Sequence, residues 1–267
     1  MVRFSALLLN IGKKQMQNLI RFPHLKITHC LNGFVLILSS MTSLVQANPI
    51  TEENLNPGSR GWVLSPDGSR AATDAVGQIK GYMSATSVNK GQSIDFKISV
   101  NPAQNFTIEV YRVGYYGGMG ARLMQTIGPI AGITQQTCPR DPSTGLVECN
   151  WSTSYSLTIP SSWTSGIYLA KLTNAANFDS GAIFVVRDDE RKADFLYQQP
   201  VATYQAYNQY PEIAPTAGVP NPNAGGSLYT GDYSGLPKAV KVSFNRPYAG
   251  YRTNFNGYGH FLEEEIN

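Results

Sequence analysis

The chain has 267 residues, a length that allows one large domain or two small ones. Only 15% of the residues are charged and 11% are aromatic, which argues against an intrinsically disordered protein. The net charge of +3 comes from the first 47 residues, which contain five basic residues and no acidic one. The remaining 16 basic and 18 acidic residues exclude the basic surface that nucleic-acid binding requires.

Residues 1–47 have the pattern of an export signal. Basic residues up to Lys26 precede an apolar stretch of 15 residues over 31–45, and Val45-Gln46-Ala47 follows as a small-residue cleavage site. The apolar stretch is shorter than the ~20 residues that span a bilayer. We therefore predict cleavage after Ala47, a periplasmic or extracellular location, and no membrane span after cleavage. An uncleaved anchor is the alternative.

Residues 62–187 are predicted to form an antiparallel β-sandwich of the immunoglobulin-like kind, after a linker over residues 48–61. In several short segments apolar residues alternate with polar ones, which is typical of strands with one buried face. Turns with glycine or proline separate these segments, as in sandwich domains. The strand candidates are 93–100, 106–113, 166–173 and 182–186.

The glycine-rich segment Tyr111–Arg122, YRVGYYGGMGAR, lies between strand-like flanks. A phosphate-binding loop needs a helix directly after its glycines, and none is predicted here. We therefore interpret the segment as a hairpin tip. The neighbouring tyrosines Tyr115 and Tyr116 are candidates for a binding surface, and packing against another part of the protein is the alternative.

Two cysteines, Cys138 and Cys149, follow the predicted signal. An oxidising compartment favours a disulfide between them, and the turn-rich residues 139–148 suit a short closed hairpin. Two separate thiols in neighbouring strands are the alternative. A metal site is less favoured, because neither cysteine has a second cysteine or histidine at ligand spacing.

The pattern changes after the charged segment 188–193, which we interpret as a linker. Asp194–Tyr197 and Ala239–Phe244 are strand candidates, and a helix is predicted to begin at residues 260–267. Two strands and the start of a helix cannot close a core. Residues 194–267 are therefore expected to be the incomplete start of a larger α/β domain.

Several motifs together resemble the N,N-dimethylformamidase large (beta) subunit-like family over residues 60–267. They are YRVGYYGGMGAR, SWTSGIYLAKLT, FVVRDD, ADFLYQQPVATYQAYN, GGSLYTG and VSFNRPY. The resemblance implies a β-sandwich followed by an α/β domain of glutamine-amidotransferase-like fold. It also implies an iron-dependent amidohydrolase acting on small amides, with two tyrosines and one glutamate as metal ligands.

The residues that match the family's tyrosines are Tyr207 and Tyr248, with Tyr204 as the alternative to Tyr207. The family's glutamate lies in a later motif that residues 263–265 do not match. The resemblance thus implies part of an exported formamidase-like amidohydrolase that is inactive as given and holds no iron stably. A non-catalytic cell-envelope module, whose sandwich binds a glycan or a protein, is the second hypothesis.

Overall fold

The structure is a computed structural model that describes residues 48–65, 69–229 and 236–249. The predicted export signal and the predicted helix at residues 260–267 lie outside these residues. Within the described ranges, no helix has both the length and the apolar character needed to cross a membrane.

The described residues form two short helices and eight strands. The helices are α1 (Pro49–Glu53) and α2 (Val201–Tyr207). The strands are β1 (Ile79–Met83), β2 (Ser87–Asn89), β3 (Ser93–Val100), β4 (Asn105–Val113), β5 (Ala121–Ala131), β6 (Tyr155–Thr158), β7 (Gly166–Asn174) and β8 (Asp179–Arg187).

The strands form two sheets. A three-stranded sheet has the order β1-β3-β6, and a five-stranded sheet has the order β2-β8-β7-β4-β5. The pairs are antiparallel except β2 with β8, which is parallel and departs from the predicted antiparallel fold. The four strand candidates between residues 93 and 186 correspond to β3, β4, β7 and β8. The β-rich fold is therefore confirmed.

The core of these residues lies between the two sheets. In β3, the alternating side chains of Ile94, Phe96 and Ile98 are all at most 1% exposed, and they join one cluster with side chains of β4, β7 and β8. Phe96 of the three-stranded sheet meets Phe184 of the five-stranded sheet edge to face, with ring centroids 6.1 Å apart. The period-two pattern thus becomes a shared apolar interior.

The glycine-rich segment is the turn between β4 and β5, so its interpretation as a hairpin tip is confirmed. A 3-10 turn over Tyr116–Gly118 reverses the chain, and Gly117 and Gly118 adopt φ of 67° and 88°, which glycine tolerates best. The two tyrosines separate here: Tyr115 is 73% exposed, whereas Tyr116 is 2% exposed.

Residues 48–61, predicted as a linker, pack against this turn. The Glu53 carboxylate accepts hydrogen bonds from the Tyr116 hydroxyl at 2.9 Å and from Arg122 Nη1 at 2.7 Å. The Asn54 side-chain oxygen accepts the backbone N–H of Tyr115 at 2.7 Å. These contacts give the buried Tyr116 hydroxyl an acceptor and join residues 53 and 54 to the tip of the hairpin.

Two strand predictions after residue 193 are wrong. Asp194–Tyr197 and Ala239–Phe244 are irregular, and the region's regular element is instead α2. A strand needs a neighbour that pairs with it residue after residue. Ala239 and Val240 donate their backbone N–H groups to Ser227 and Thr144, respectively, which are two separate places in the chain.

Candidate functional site

The tyrosine motifs meet where α2 ends. We call this place the α2 junction and define it as α2 with residues 208–210 and 245–249. The helix begins after Pro200, whose carbonyl accepts the N–H of Tyr204 at 3.2 Å. It ends at Asn208, whose backbone is extended. The last carbonyl groups of a helix lack partners within the helix, so the junction must supply donors.

Arg246 supplies one of these donors and also bonds carbonyl groups just past the end of the helix. Its guanidinium, in a residue only 1% exposed, donates to the carbonyl oxygens of Gln205 at 3.1 Å, Asn208 at 3.0 Å and Tyr210 at 3.3 Å. A cation at this place also interacts favourably with the helix dipole. Burial lowers the pKa of Arg246 to about 10, so the side chain remains protonated at neutral pH.

Asn208 joins the same two segments through its side-chain amide. The nitrogen donates to the Pro247 carbonyl at 2.9 Å, and the oxygen accepts the N–H groups of Tyr210 at 3.1 Å and Ala249 at 3.0 Å. Asn208 is 6% exposed, so these bonds are shielded from water. The junction is therefore a buried polar network with its backbone groups paired.

Tyr248 lies within this network and packs on the cluster formed by Leu169, Ile183 and Tyr204. Burial raises the pKa of Tyr248 to about 12, while a hydrogen bond with Gln205 and the charge of Arg246 act in the opposite direction. The phenol is thus neutral at physiological pH. A cavity of about 50 Å³ adjoins it, also lined by Gln205 and Arg246.

The two candidates on α2 occupy different surroundings. Tyr204 is 2% exposed, and its hydroxyl accepts a hydrogen bond from Gln199 Nε2 at 2.7 Å. Tyr207 is 53% exposed and stacks on Tyr229, with ring centroids 4.5 Å apart. The structure therefore brings Tyr248 together with Tyr204, the alternative candidate, and places Tyr207 at the surface.

The comparison with protein families decides which family this is. Residues 107–266, more than half of the chain, match the family described as N,N-dimethylformamidase beta subunit-like, C-terminal. The chain belongs to this family. The match begins in β4 and continues through both segments of the α2 junction, so the formamidase-like region includes part of the two-sheet core.

Solved structures with some likeness to this formamidase-like chain are distant. An uncharacterised protein from Bacillus anthracis is 10% identical, with 41% of this chain and 85% of that chain covered and a TM-score of 0.25. A superoxide reductase (neelaredoxin) from Ignicoccus hospitalis is 14% identical, with 47% and 96% covered and a TM-score of 0.24.

The DNA glycosylase AlkC from Pseudomonas fluorescens is 14% identical, with 42% of this chain and 31% of that chain covered and a TM-score of 0.24. This chain thus spans about a third of the glycosylase. TM-scores this low give no basis for assigning a fold or a function. No curated protein matches the chain.

Among the described residues, the tyrosines that the resemblance implies as iron ligands lie in different surroundings. Tyr248 is partly buried, and burial raises the pKa of its phenol. A metal that binds this phenol would have to stabilise its deprotonated form. Tyr207 is stacked at the surface. Within residues 48–65, 69–229 and 236–249, no group of three or more histidine, cysteine, aspartate or glutamate side chains is placed to hold a metal.

The predicted cysteine pair lies close to the α2 junction. Cys138 and Cys149 are joined by a disulfide in the structure, with Cα atoms 4.5 Å apart. Both pack in a buried cluster with Tyr210 and Ala249 of the junction.

The sequence patterns predicted no separate site role for Gln205, Asn208 or Arg246. All three stand inside the aromatic motifs TYQAYN and NRPY. Polar side chains within motifs rich in aromatic residues could have indicated them. If such a motif is buried, its polar groups need hydrogen-bond partners, and a polar network is then expected.

Proposed function

We propose that this chain is part of an exported, formamidase-like amidohydrolase, a protein that hydrolyses the C–N bond of small amides at an iron centre. The observation that carries the proposal is the family match over residues 107–266, which includes both tyrosine motifs. The preorganised junction around Tyr248 supports it, since a catalytic group must be held closely in place by its neighbours.

We also propose that residues 48–267 alone do not hydrolyse amides. Among the described residues, the candidate tyrosines Tyr207 and Tyr248 lie in different environments. The role of the described residues is then to hold Tyr248 and to exclude water from it.

The test uses purified residues 48–267 supplied with Fe(II) or Fe(III), with simple formamides as substrates. We expect neither iron at unit stoichiometry nor turnover above that of free iron. The same assays are repeated on three variants that each lack one candidate hydroxyl: Tyr204→Phe, Tyr207→Phe and Tyr248→Phe. Bound iron with turnover that disappears in Tyr207→Phe or Tyr248→Phe would show that the tyrosines suffice.

For the fold, we propose that the two sheets are an immunoglobulin-like sandwich and that residues after 193 begin a glutamine-amidotransferase-like domain. The shared apolar core between the sheets supports the first part. A crystal structure of the protein in which residues 194–267 form no part of a parallel sheet would contradict the second part.

For export, we propose cleavage after Ala47. The Asn48 side chain caps α1 by accepting the N–H of Ile50 at 2.9 Å, so Asn48 would keep a structural role in the cleaved chain. N-terminal sequencing of the secreted protein should begin at Asn48. Retention of residues 31–45 in membrane-bound protein would contradict the cleavage.

A second candidate function is a non-catalytic cell-envelope module that binds a glycan or a protein. The exposure of Tyr115 at the hairpin tip favours it, with Met119 43% exposed in the same turn. Binding of the purified protein to isolated cell envelopes, lost in Tyr115→Ala and kept in Tyr248→Phe, would favour this function over the amidohydrolase.

A further inference from the structure

The disulfide hairpin, defined as residues 138–149, lies beneath the segment that leads to Tyr248. Its two cysteines are at most 9% exposed. They pack in one buried cluster with Tyr82 and Trp151 and with Tyr210 and Ala249 of the α2 junction. The cross-link is therefore in the same cluster as a residue of β1 and two residues of the junction.

Hydrogen bonds connect the hairpin to residues 240–245. Cys149 donates its backbone N–H to the Asn245 carbonyl at 2.7 Å, and Val240 donates its own to the Thr144 carbonyl at 2.8 Å. The Glu148 carboxylate accepts hydrogen bonds from Ser243 Oγ at 3.1 Å and from Asn245 Nδ2 at 3.2 Å. Because residues 239–244 belong to no sheet, these bonds set the path of the segment.

Close packing adds to the hydrogen bonds at Gly145. This residue has φ of 71°, and a Cβ atom at its position would lie 2.8 Å from the Ala239 Cα atom. Such a distance is too short for a real side chain. Glycine is thus required at position 145 for two reasons: the positive φ of the hairpin backbone and the close contact with Ala239.

The segment that leaves the hairpin at Asn245 continues directly into Arg246 and Tyr248, which the α2 junction holds. We propose that the disulfide hairpin is a redox-sensitive lock: with Cys138 and Cys149 linked, it holds residues 239–249, and with them Tyr248, against α2. A dithiol reductant that exchanges with this bond leaves Cys138 and Cys149 as two thiols and is itself oxidised to a disulfide. The hairpin is then less restricted, so the Thr144 carbonyl, the Glu148 carboxylate and the Cys149 N–H lose their fixed positions.

This inference does not depend on iron binding or on amide hydrolysis. It concerns the position of Tyr248 alone, so a failure of the proposed function leaves it open to its own test. The protein used is the purified, exported chain, and thiol labelling with mass spectrometry is the first measurement. Two free thiols in that material would overturn the proposal.

The second measurement is hydrogen exchange before and after mild reduction. We expect amides of residues 239–249 and of α2 to exchange about tenfold faster after reduction, while those of β4 and β7 keep their rates. Unchanged exchange at residues 239–249 would overturn the lock. An equal acceleration in β4 and β7 would also overturn it, because the disulfide would then stabilise the whole fold.

A pair of glycine variants tests the lock with the disulfide intact. Gly145 and Gly91 both have positive φ, 71° and 78°, but a Cβ at Gly91 would meet nothing within 4 Å. Gly145→Ala should therefore speed tryptic cleavage after the exposed residues Lys238 and Lys241 by about tenfold relative to Gly91→Ala. Equal cleavage rates in the two variants would contradict the proposal.

Discussion

Residues 79–187 and residues 194–249 keep their backbones in place by different means. In the first region, strands pair in continuous ladders. For example, β4 is hydrogen-bonded to β5 on one edge and to β7 on the other. In the second region, α2 is the described regular element, and carbonyl groups around it are satisfied by the side chain of Arg246. A ladder distributes stability over many groups, whereas the α2 junction concentrates it in a few polar residues.

The difference extends to apolar side chains. The core between the two sheets buries large aromatic residues such as Phe96, Phe106 and Phe184, each at most 2% exposed. The second region leaves Phe195 and Leu196 93% and 95% exposed. The hydrophobic effect therefore stabilises the first region strongly, and specific polar contacts take a larger share in the second.

The largest expected effect is the loss of a core aromatic residue. Phe96→Ala should lower the free energy of unfolding by about 3–5 kcal/mol, because it removes a ring packed between the sheets. Phe195→Ala, at 93% exposure, should change it by less than about 0.5 kcal/mol. Urea unfolding followed by tryptophan fluorescence measures both, and similar values would contradict the comparison.

Next is the removal of the charge that holds the α2 junction. Arg246→Met should cost about 3 kcal/mol, since the buried carbonyl groups of Asn208 and Tyr210 lose the donor that Arg246 supplies. Arg191→Met is the control, because the exposed Arg191 side chain makes a long ion pair of 3.7 Å with Asp188 and a long hydrogen bond of 3.4 Å to Ser165 Oγ.

The effect of Arg246→Met should also be confined to the second region. Hydrogen exchange should accelerate in α2 and at residues 245–249, while β4 and β7 remain protected. Equal acceleration in the sheets would show that the two regions are stabilised as one, contrary to the comparison.

A smaller effect is expected from alkaline pH. Burial raises the pKa of Tyr248 from the reference value of 10.0 to about 12. The protonated Tyr248 therefore contributes fully to the free energy of unfolding below pH 10, and this contribution is lost as the pH rises towards 12. Tyr248→Phe should reduce this alkaline loss by about 2 kcal/mol.

Tyr207→Phe is the matched control for the pH experiment, because Tyr207 is 53% exposed at the surface. Unfolding free energies between pH 9 and 12 would be compared for the two variants and the parent chain. Identical pH profiles for both variants would contradict the burial of the Tyr248 hydroxyl.

The smallest expected effect is that of Tyr115→Ala at the hairpin tip. With 73% of the residue exposed, the free energy of unfolding should change by less than about 0.5 kcal/mol. Tyr116→Ala in the same turn should cost at least about 2 kcal/mol, because the lost hydroxyl is bonded to buried Glu53. Thermal unfolding of the two variants would distinguish them.

Sequence reasoning succeeded where the signal was local. The period-two alternation in residues 93–100 and 106–113 predicted β3 and β4, because one buried face per strand is encoded within a few residues. The same alternation in Ala239–Phe244 was misleading. Those residues lie along the disulfide hairpin and lack a neighbouring strand, which no local pattern could reveal.

By itself, the sequence determined the β-rich class, the hairpin tip and the family, all of which depend on short motifs and their order. Only the tertiary structure decided that Tyr248 lies with Tyr204 while Tyr207 faces outward. That arrangement depends on Arg246 and Gln205, which are bonded across a sequence separation of 41 residues. Contacts over such distances arise from chain folding, because the residues in between determine whether the two groups meet.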